Sequence, residues 1–450
     1  MSIAPSLHQR QAPRYKATTT TPTPAPAAAS APSVAPAARR GRTLLGYLLV
    51  PRPGDLVKAL LMPLVFGLAV LAAGGVDTRA LWRAVIVLIA LELLVYAARY
   101  QWNDVRGFAA DQRHPDAADR GRLPGPLSDA RSHVVISAAV AAGRLAVVAA
   151  LVLLLPGLDL GGVLLWVTVG VFGVAVAYEA LRTLGTGRDS RVPPPVRPVL
   201  VLLWITVGAG YVVRGLTGLA LAVDLRQHVA AGIAAAVALW AYGVAFVTSR
   251  WAVEATAFAR LHGGRVVWTA EAGQAREHLL ALVRWLPSHA GPNDATGSAS
   301  GWAALRGGTP VLAPWNVAAV VAGAAAALTG RLLTGPCGTG QACVVAVVGA
   351  AAALAPVVLP THRWPAVASG GVVLFATLWL QGAPAPAVAL LPWLMVTLAY
   401  GYCTGLSLRT MGRAGRRVRA VLGGLLAPVA RLVVGRETFE ACRVGEPSRG

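Results

Sequence analysis

The chain has 450 residues, of which 56% are hydrophobic and only 13% charged, with a mean hydropathy of +0.60. That balance excludes a soluble globular domain and marks a membrane protein. A net charge of +21 would suggest nucleic acid in a soluble protein, but here the basic residues follow the connections between apolar stretches. Anionic lipid headgroups are then a sufficient partner, and no nucleic acid is expected.

Residues 1–55 include "ATTTTPTPAPAAASAPSVAPAARRGR", a Pro, Ala and Thr tract without apolar periodicity, expected to be a disordered cytoplasmic segment. It lacks the apolar core of a signal peptide. Ten stretches follow, each long enough to cross a hydrocarbon core of ~30 Å: 57–75, 81–99, 133–155, 161–181, 198–221, 229–248, 314–333, 342–360, 366–382 and 386–407. They predict an all-α polytopic bundle of nine or ten transmembrane helices over residues 56–408.

Arginines concentrate in the connections 100–132, 182–197 and 249–313, whereas 156–160 and 334–341 hold none. This asymmetry puts those three loops and both termini in the cytoplasm of a multi-pass cell-membrane protein. Within the third loop, "EAGQAREHLLALVRWLP" has apolar residues at 279, 280, 282, 283 and 286, which predicts a short interfacial helix over a cavity mouth. The basic tail 409–450 reads either as an amphipathic helix on the inner membrane surface or as a poorly ordered tail.

Four cysteines are too few for a disulfide framework, but Cys337 and Cys343 in "GPCGTGQAC" fall at the outer side and are expected to pair there. His262, His278 and His289 are too scattered to suggest zinc. Glu92 and Arg144 lie at depths differing by about one helical turn, so they are expected to form an intramembrane pair. Arg214 reads as a residue that snorkels toward the outer surface.

The densest polar stretch is "YQWNDVRGFAADQRHPDAADRGRLPGPLS" at 100–128. If its first part is helical, Asp104 and Asp111 share one face with residue 107 between them. Carboxylates in such a row suit Mg²⁺, a hard cation that shares its coordination with substrate phosphates, while nearby arginines clamp the remaining phosphate oxygens. The bland alternative is a solvated loop that fixes topology.

At these residues the chain resembles the UbiA superfamily of intramembrane prenyltransferases, whose first motif is NDxxDxxxD followed by an "RPLxSGxxS"-like segment. Asn103, Asp104 and Asp111 fall on the motif in register, and Arg120, Gly125 and Ser128 fall on the later segment. The spelling "NDVRxxxADxxHP" looks most like the decaprenyl-phosphate phosphoribosyltransferase branch. "YEALR" at 178–182, "GYVVRGLTG" at 210–218 and "TSRWAVE" at 248–254 are similar to later family segments, in the expected order and on the expected side of the membrane. Gly107 stands where the family has its middle aspartate, and no second aspartate-rich motif is recognisable in 249–313.

The resemblance implies a transferase acting on a polyprenyl phosphate or diphosphate, with diphosphate release. The donor and acceptor fit either prenyl transfer to a small molecule or phosphoribosyl transfer from phosphoribosyl diphosphate to the lipid. It implies Mg²⁺ at Asn103, Asp104 and Asp111, and catalytic roles for Asp104, Asp111, Arg120, Tyr178 and Arg182. Asn103, Arg106, Arg113, Arg214, Arg250 and Glu254 are the implied substrate or diphosphate contacts. A catalytically silent lipid-binding relative is the main alternative. A transporter has less support, since no inverted repeats are visible.

Overall fold

The computed structural model describes the chain from residue 43, apart from 114–120, 188–190, 270–271, 273–274, 290–296, 303–304, 306–307 and most of 408–450. Arg120, Cys442 and most of the expected surface helix in the tail lie outside the described residues. Among those described in the tail, Arg413 and Arg417 are helical and exposed.

Among the described residues, nine helices of 19 to 35 residues are apolar enough to cross a membrane, and a tenth, Val57–Ala73, is shorter. In chain order the helices are α1 Leu44–Leu49, α2 Leu61–Ala73, α3 Thr78–Ile89, α4 Tyr96–Gln112, α5 Ala130–Leu154, α6 Gly161–Gly185 and α7 Pro198–Thr206. They continue with α8 Ala209–Ala222, α9 Val229–Ala255, α10 Glu277–Leu280, α11 Pro314–Leu333, α12 Thr339–Val358, α13 Arg363–Leu380 and α14 Pro386–Thr404. The protein is a polytopic membrane helical bundle.

Local chemistry sets many of the ends. Asp77 caps α3 by accepting from the Ala80 amide (2.6 Å), and α7, α11 and α14 start on prolines, whose missing N–H costs nothing in a first turn. Gly74 closes α2 at φ +79°, a left-handed conformation in which glycine meets no Cβ penalty. α3 runs into α4 through a π-turn, Ala90–Val95.

The helices pack as two connected layers. α2 lies on α8, α8 on α9, and α9 on α11, which in turn packs against α12 and α14. The central core of the first layer is built by Val87, Leu91, Val95, Leu164 and Val167, all buried. In the second layer the buried Trp393 donates its indole N–H to the Gly349 carbonyl (3.0 Å).

Of the segment 1–55 expected to be disordered, residues 1–42 lie outside the described residues, and the rest is ordered. Residues 44–49 form α1, Thr43 caps it through the Gly46 amide (3.2 Å), and Tyr47 is fully buried. The run "LLGYLL" is apolar enough to dock, which the neighbouring Pro/Ala tract conceals.

The loop 249–313 also holds more structure than a single helix. Strands β1 Ala259–His262, β2 Arg265–Trp268 and β3 Gly297–Ser298 form a small antiparallel sheet in the order β2-β1-β3. The β1–β2 hairpin turns on Gly263 and Gly264, at φ +55° and +73°, the left-handed pair that a tight hairpin needs. The stretch expected to form a short helix does so as α10, prolonged by a 3-10 turn over Ala281–Trp285, with most of its side chains buried against the protein.

A candidate anion site at the basic end of the bundle

α4, α6 and α9 finish at the same end of the bundle, beside the segment between α1 and α2. There the side chains form one polar cluster. Asp104 is fully buried and accepts from Tyr47 Oη (3.2 Å), Arg52 Nε (3.1 Å) and Arg122 Nη1 (3.1 Å), with Arg52 Nη2 closer still. Two guanidiniums therefore share one carboxylate. Arg122 also approaches Asp111 at 3.9 Å.

One turn around the cluster, Glu179 on α6 is buried and takes Arg106 Nε at 3.3 Å and Arg182 Nη2 at 2.6 Å. With the Asn103 amide oriented to suit both neighbours, its nitrogen donates to Glu179 Oε1 (2.8 Å) and its oxygen accepts from Arg52. Asn103 thus joins the Asp104 and Glu179 halves of the network.

Asp55 lies beside Lys58 (2.6 Å) and Arg52 (4.0 Å). Burial alone would raise its carboxyl, but Lys58 and Arg52 outweigh this and hold it well below the usual carboxylate range. Tyr47 shifts the other way, its phenol pushed up by burial and by the Asp104 charge.

The loop 249–313 covers one flank. Glu277 accepts from the Gly187 amide (2.9 Å) and from Arg197, while the His278 carbonyl accepts from Trp204 (3.0 Å). The His278 ring meets Trp251 edge-on at 4.9 Å, and Trp251 lies 6.1 Å from the Tyr178 ring. Arg182 sits over Tyr178 at 5.6 Å. Burial, with Arg182 and Arg276 nearby, pushes the His278 imidazole down to about 3, so it is neutral.

Asn103, Asp104, Arg106, Asp111, Tyr178 and Arg182 are therefore brought together as expected from the sequence. Arg250 and Glu254 follow on the last turns of α9; Arg250 lies over Phe246 at 5.3 Å, and Glu254 adds to the field at Arg122. Arg113 is exposed at the end of α4, outside the cluster.

Four residues of the cluster were not singled out by the sequence. Tyr47 and Arg52 belonged to the segment expected to be disordered, and Arg122 was counted only as loop charge. Glu179 was hidden inside "YEALR", although an acid one turn before an arginine is a signal for an (i, i+3) pair.

Arg214 corrects two expectations at once. It does not snorkel: it is buried and donates to Glu92 through Nε (2.7 Å) and Nη2 (3.2 Å) and to Tyr100 Oη (3.3 Å). Glu92 thus pairs with Arg214 and not with Arg144, because the π-turn rotates it toward α8. Arg144 instead bonds Gln101 and the carbonyls of Leu48 and Leu49, which tie α1 to α5. Arg52 lies over the Tyr100 ring at 4.9 Å, so polar contacts run unbroken from the Asp104 cluster to the Glu92 pair.

The cluster does not fit a preformed Mg²⁺ centre. Among the described residues no group of three acid, His or Cys side chains is placed to hold a metal. Asp104 is taken up by two arginines and a tyrosine, and Asn103 by Glu179 and Arg52. At 107, a Cβ would lie 3.2 Å from Asp111 Oδ2, so glycine leaves that carboxylate its room. What the arrangement favours is an anion. Arg52, Lys58, Arg106, Arg122 and Arg182 stand against Asp55, Asp104, Asp111 and Glu179, and among the described residues the buried Nε atoms of Arg122 and Arg182 have no hydrogen-bond partner. Buried guanidinium donors without a protein acceptor are rare, and the oxygens of an anion suit them.

The expected Cys337–Cys343 disulfide is not formed. Both thiols are free: Cys337 turns to the Gly338 carbonyl (3.6 Å), while Cys343 lies exposed on the second turn of α12. The fold and this cluster define a polytopic helical membrane protein with a basic polar site at one end of its bundle. No family model, curated protein or solved structure matches the chain.

Proposed function

We propose that the chain is a UbiA-type membrane transferase whose basic end, facing the cytoplasm, takes the phosphate or diphosphate of a polyprenyl substrate. The observation that carries this reading is the convergence of Arg52, Arg106, Arg122 and Arg182 around Asp104 and Glu179, with unsatisfied Nε donors on Arg122 and Arg182. Arginine suits the task because its planar fork binds phosphate oxygens bidentately and stays charged at any working pH.

In this reading Arg122 and Arg182 bind the leaving diphosphate and offset the charge that develops on it, the largest electrostatic contribution such a site can make. Asp104 and Glu179 are positioning residues that hold the guanidiniums in place before substrate arrives. Tyr178 and Trp251 form an aromatic wall beside Arg182. The lipid is the membrane partner, and phosphoribosyl diphosphate or a small acceptor is the second substrate.

A second reading, a catalytically silent lipid-binding relative, is favoured by one observation: Asp104 is already neutralised by two arginines. One assay separates the two. Membranes containing the chain are incubated, in buffer with Mg²⁺, with labelled phosphoribosyl diphosphate or labelled polyprenyl diphosphate, and the lipid extract is counted. The transferase reading expects a labelled product that falls about a hundredfold with Arg182→Ala, the usual scale for one charge-stabilising donor. No product with any donor, together with retained polyprenyl-phosphate binding, decides for the silent reading.

A further inference from the structure

A second polar feature lies in the half of the chain where no motif is recognisable. α11, α12, α13 and α14 enclose a cavity whose wall includes Thr309, Asn316, Arg363 and Tyr400, with Trp364 beside Arg363. These residues lie near the start of α11 and α13 and the end of α14, so they share one end of the bundle. One to two turns deeper the lining becomes apolar, with Ala353, Val367 and Val396. The cavity is therefore polar at the boundary of the span and oily within it.

Its polar groups are held in place. Tyr400 Oη donates to Asn316 Oδ1 (2.9 Å), and Asn316 Nδ2 donates to Thr309 Oγ1 (2.8 Å) and the Pro310 carbonyl (2.9 Å). α14 makes room for the α13 pair through two glycines one turn apart. A Cβ at Gly401 would lie 3.1 Å from the Trp364 ring, and one at Gly405 3.0 Å from Arg363 Nη2.

The guanidinium of Arg363 is the unexplained part. It is partly buried and lies 5.2 Å from the Trp364 ring centroid, yet among the described residues no acid or carbonyl accepts from it. A charge held at the edge of a span without a counter-ion is costly, and the guanidinium's five N–H donors in a planar fork suit phosphate oxygens. The exposed Trp364 suits the membrane interface, where one edge of the ring is wet and the other apolar.

We propose that this cavity is a lipid-phosphate site, separate from the Asp104 cluster, in which Arg363 takes the phosphate and the apolar depth takes the start of the lipid chain. The proposal does not rest on the transferase reading. The shared chemistry is a phosphate on a hydrocarbon chain, whether a membrane phospholipid or a polyprenyl monophosphate.

Native mass spectrometry of the full chain in detergent tests it, with phosphatidylglycerol, a polyprenyl monophosphate and inorganic phosphate added in separate arms. At least one lipid is expected to give a stoichiometric adduct. That adduct should fall at least tenfold with Arg363→Ala, stay within about twofold with the surface change Arg260→Ala, and weaken with Gly405→Ala. The tighter lipid identifies the source. Undiminished adducts in a folded Arg363→Ala protein, judged by an unchanged melting temperature, would overturn the proposal. So would binding of inorganic phosphate as tight as that of either lipid, since the apolar depth would then contribute nothing. If Arg363→Ala unfolds, Arg363→Lys takes its place: it keeps the charge but loses the planar fork, and an adduct unchanged by it counts against the site.

Discussion

Glu92 and Arg214 show how much a single buried charge can carry in this protein. The pair is buried in the span, two hydrogen bonds hold it, and Arg214 lies 3.2 Å from the Tyr96 ring centroid. Glu92→Gln leaves the guanidinium uncompensated and is expected to cost about 3–5 kcal/mol, read as a large fall in melting temperature in detergent. The double change Glu92→Leu with Arg214→Leu removes both charges and should recover most of that loss. His278 gives a pH-dependent case outside the spans. Its imidazole is held down to about 3 by burial and by Arg182 and Arg276, against ~6.5 in an unfolded chain. The folded state then refuses a proton that the unfolded state accepts, so stability is full above about pH 6.5 and declines as the pH falls toward 3. Melting curves from pH 7.5 down to 4.5 should drop more steeply for the native chain than for His278→Gln.

Among the elements, the segment from α1 to α2 is the one whose role exceeds its length. Tyr47 and Arg52 reach Asp104 across 57 and 52 residues of sequence, and two carbonyls of α1 accept from Arg144. Arg52→Ala removes one of the two guanidiniums on Asp104 and should release this segment. Limited proteolysis is expected to cut within residues 43–55 several-fold faster, while the long spans stay intact. Helix contacts elsewhere depend on missing side chains. A Cβ at Gly218 of α8 would strike the Met62 carbonyl of α2, and one at Gly330 of α11 would strike the Ala389 carbonyl of α14. Both obstacles are backbone, so Gly330→Val is expected to force α11 and α14 apart at a cost of about 1–3 kcal/mol or more, measured by thermal denaturation.

For the whole molecule, sidedness is the property most open to test. The basic loops imply that Cys343 faces the outer side and loop 249–313 the inner one. Both Cys337 and Cys343 are free thiols. An impermeant maleimide should therefore label Cys343 on intact cells without prior reductant, whereas a cysteine placed at the exposed Arg260 should react only after lysis. Mass spectrometry showing a Cys337–Cys343 bond, or labelling of position 260 on intact cells, would contradict the arrangement.

The spans were legible because each is a local run of apolar residues, and the bilayer demands only length and hydrophobicity. The α4 part of the cluster was legible for a similar reason: a seven-residue spacing sets Asp104 and Asp111 on one face whatever the rest of the chain does. The partners of Asp104 were not legible, since Tyr47, Arg52 and Arg122 come from separate segments that only packing brings to it. The same holds for Glu92, where local depth suggested Arg144, but a π-turn changed which neighbouring helix the carboxylate meets. Local pattern by itself determined a many-spanned helical bundle with a charged end. The tertiary structure decided which charges neutralise one another, because pairing between distant segments depends on helix rotation and close approach, which no short stretch of residues encodes.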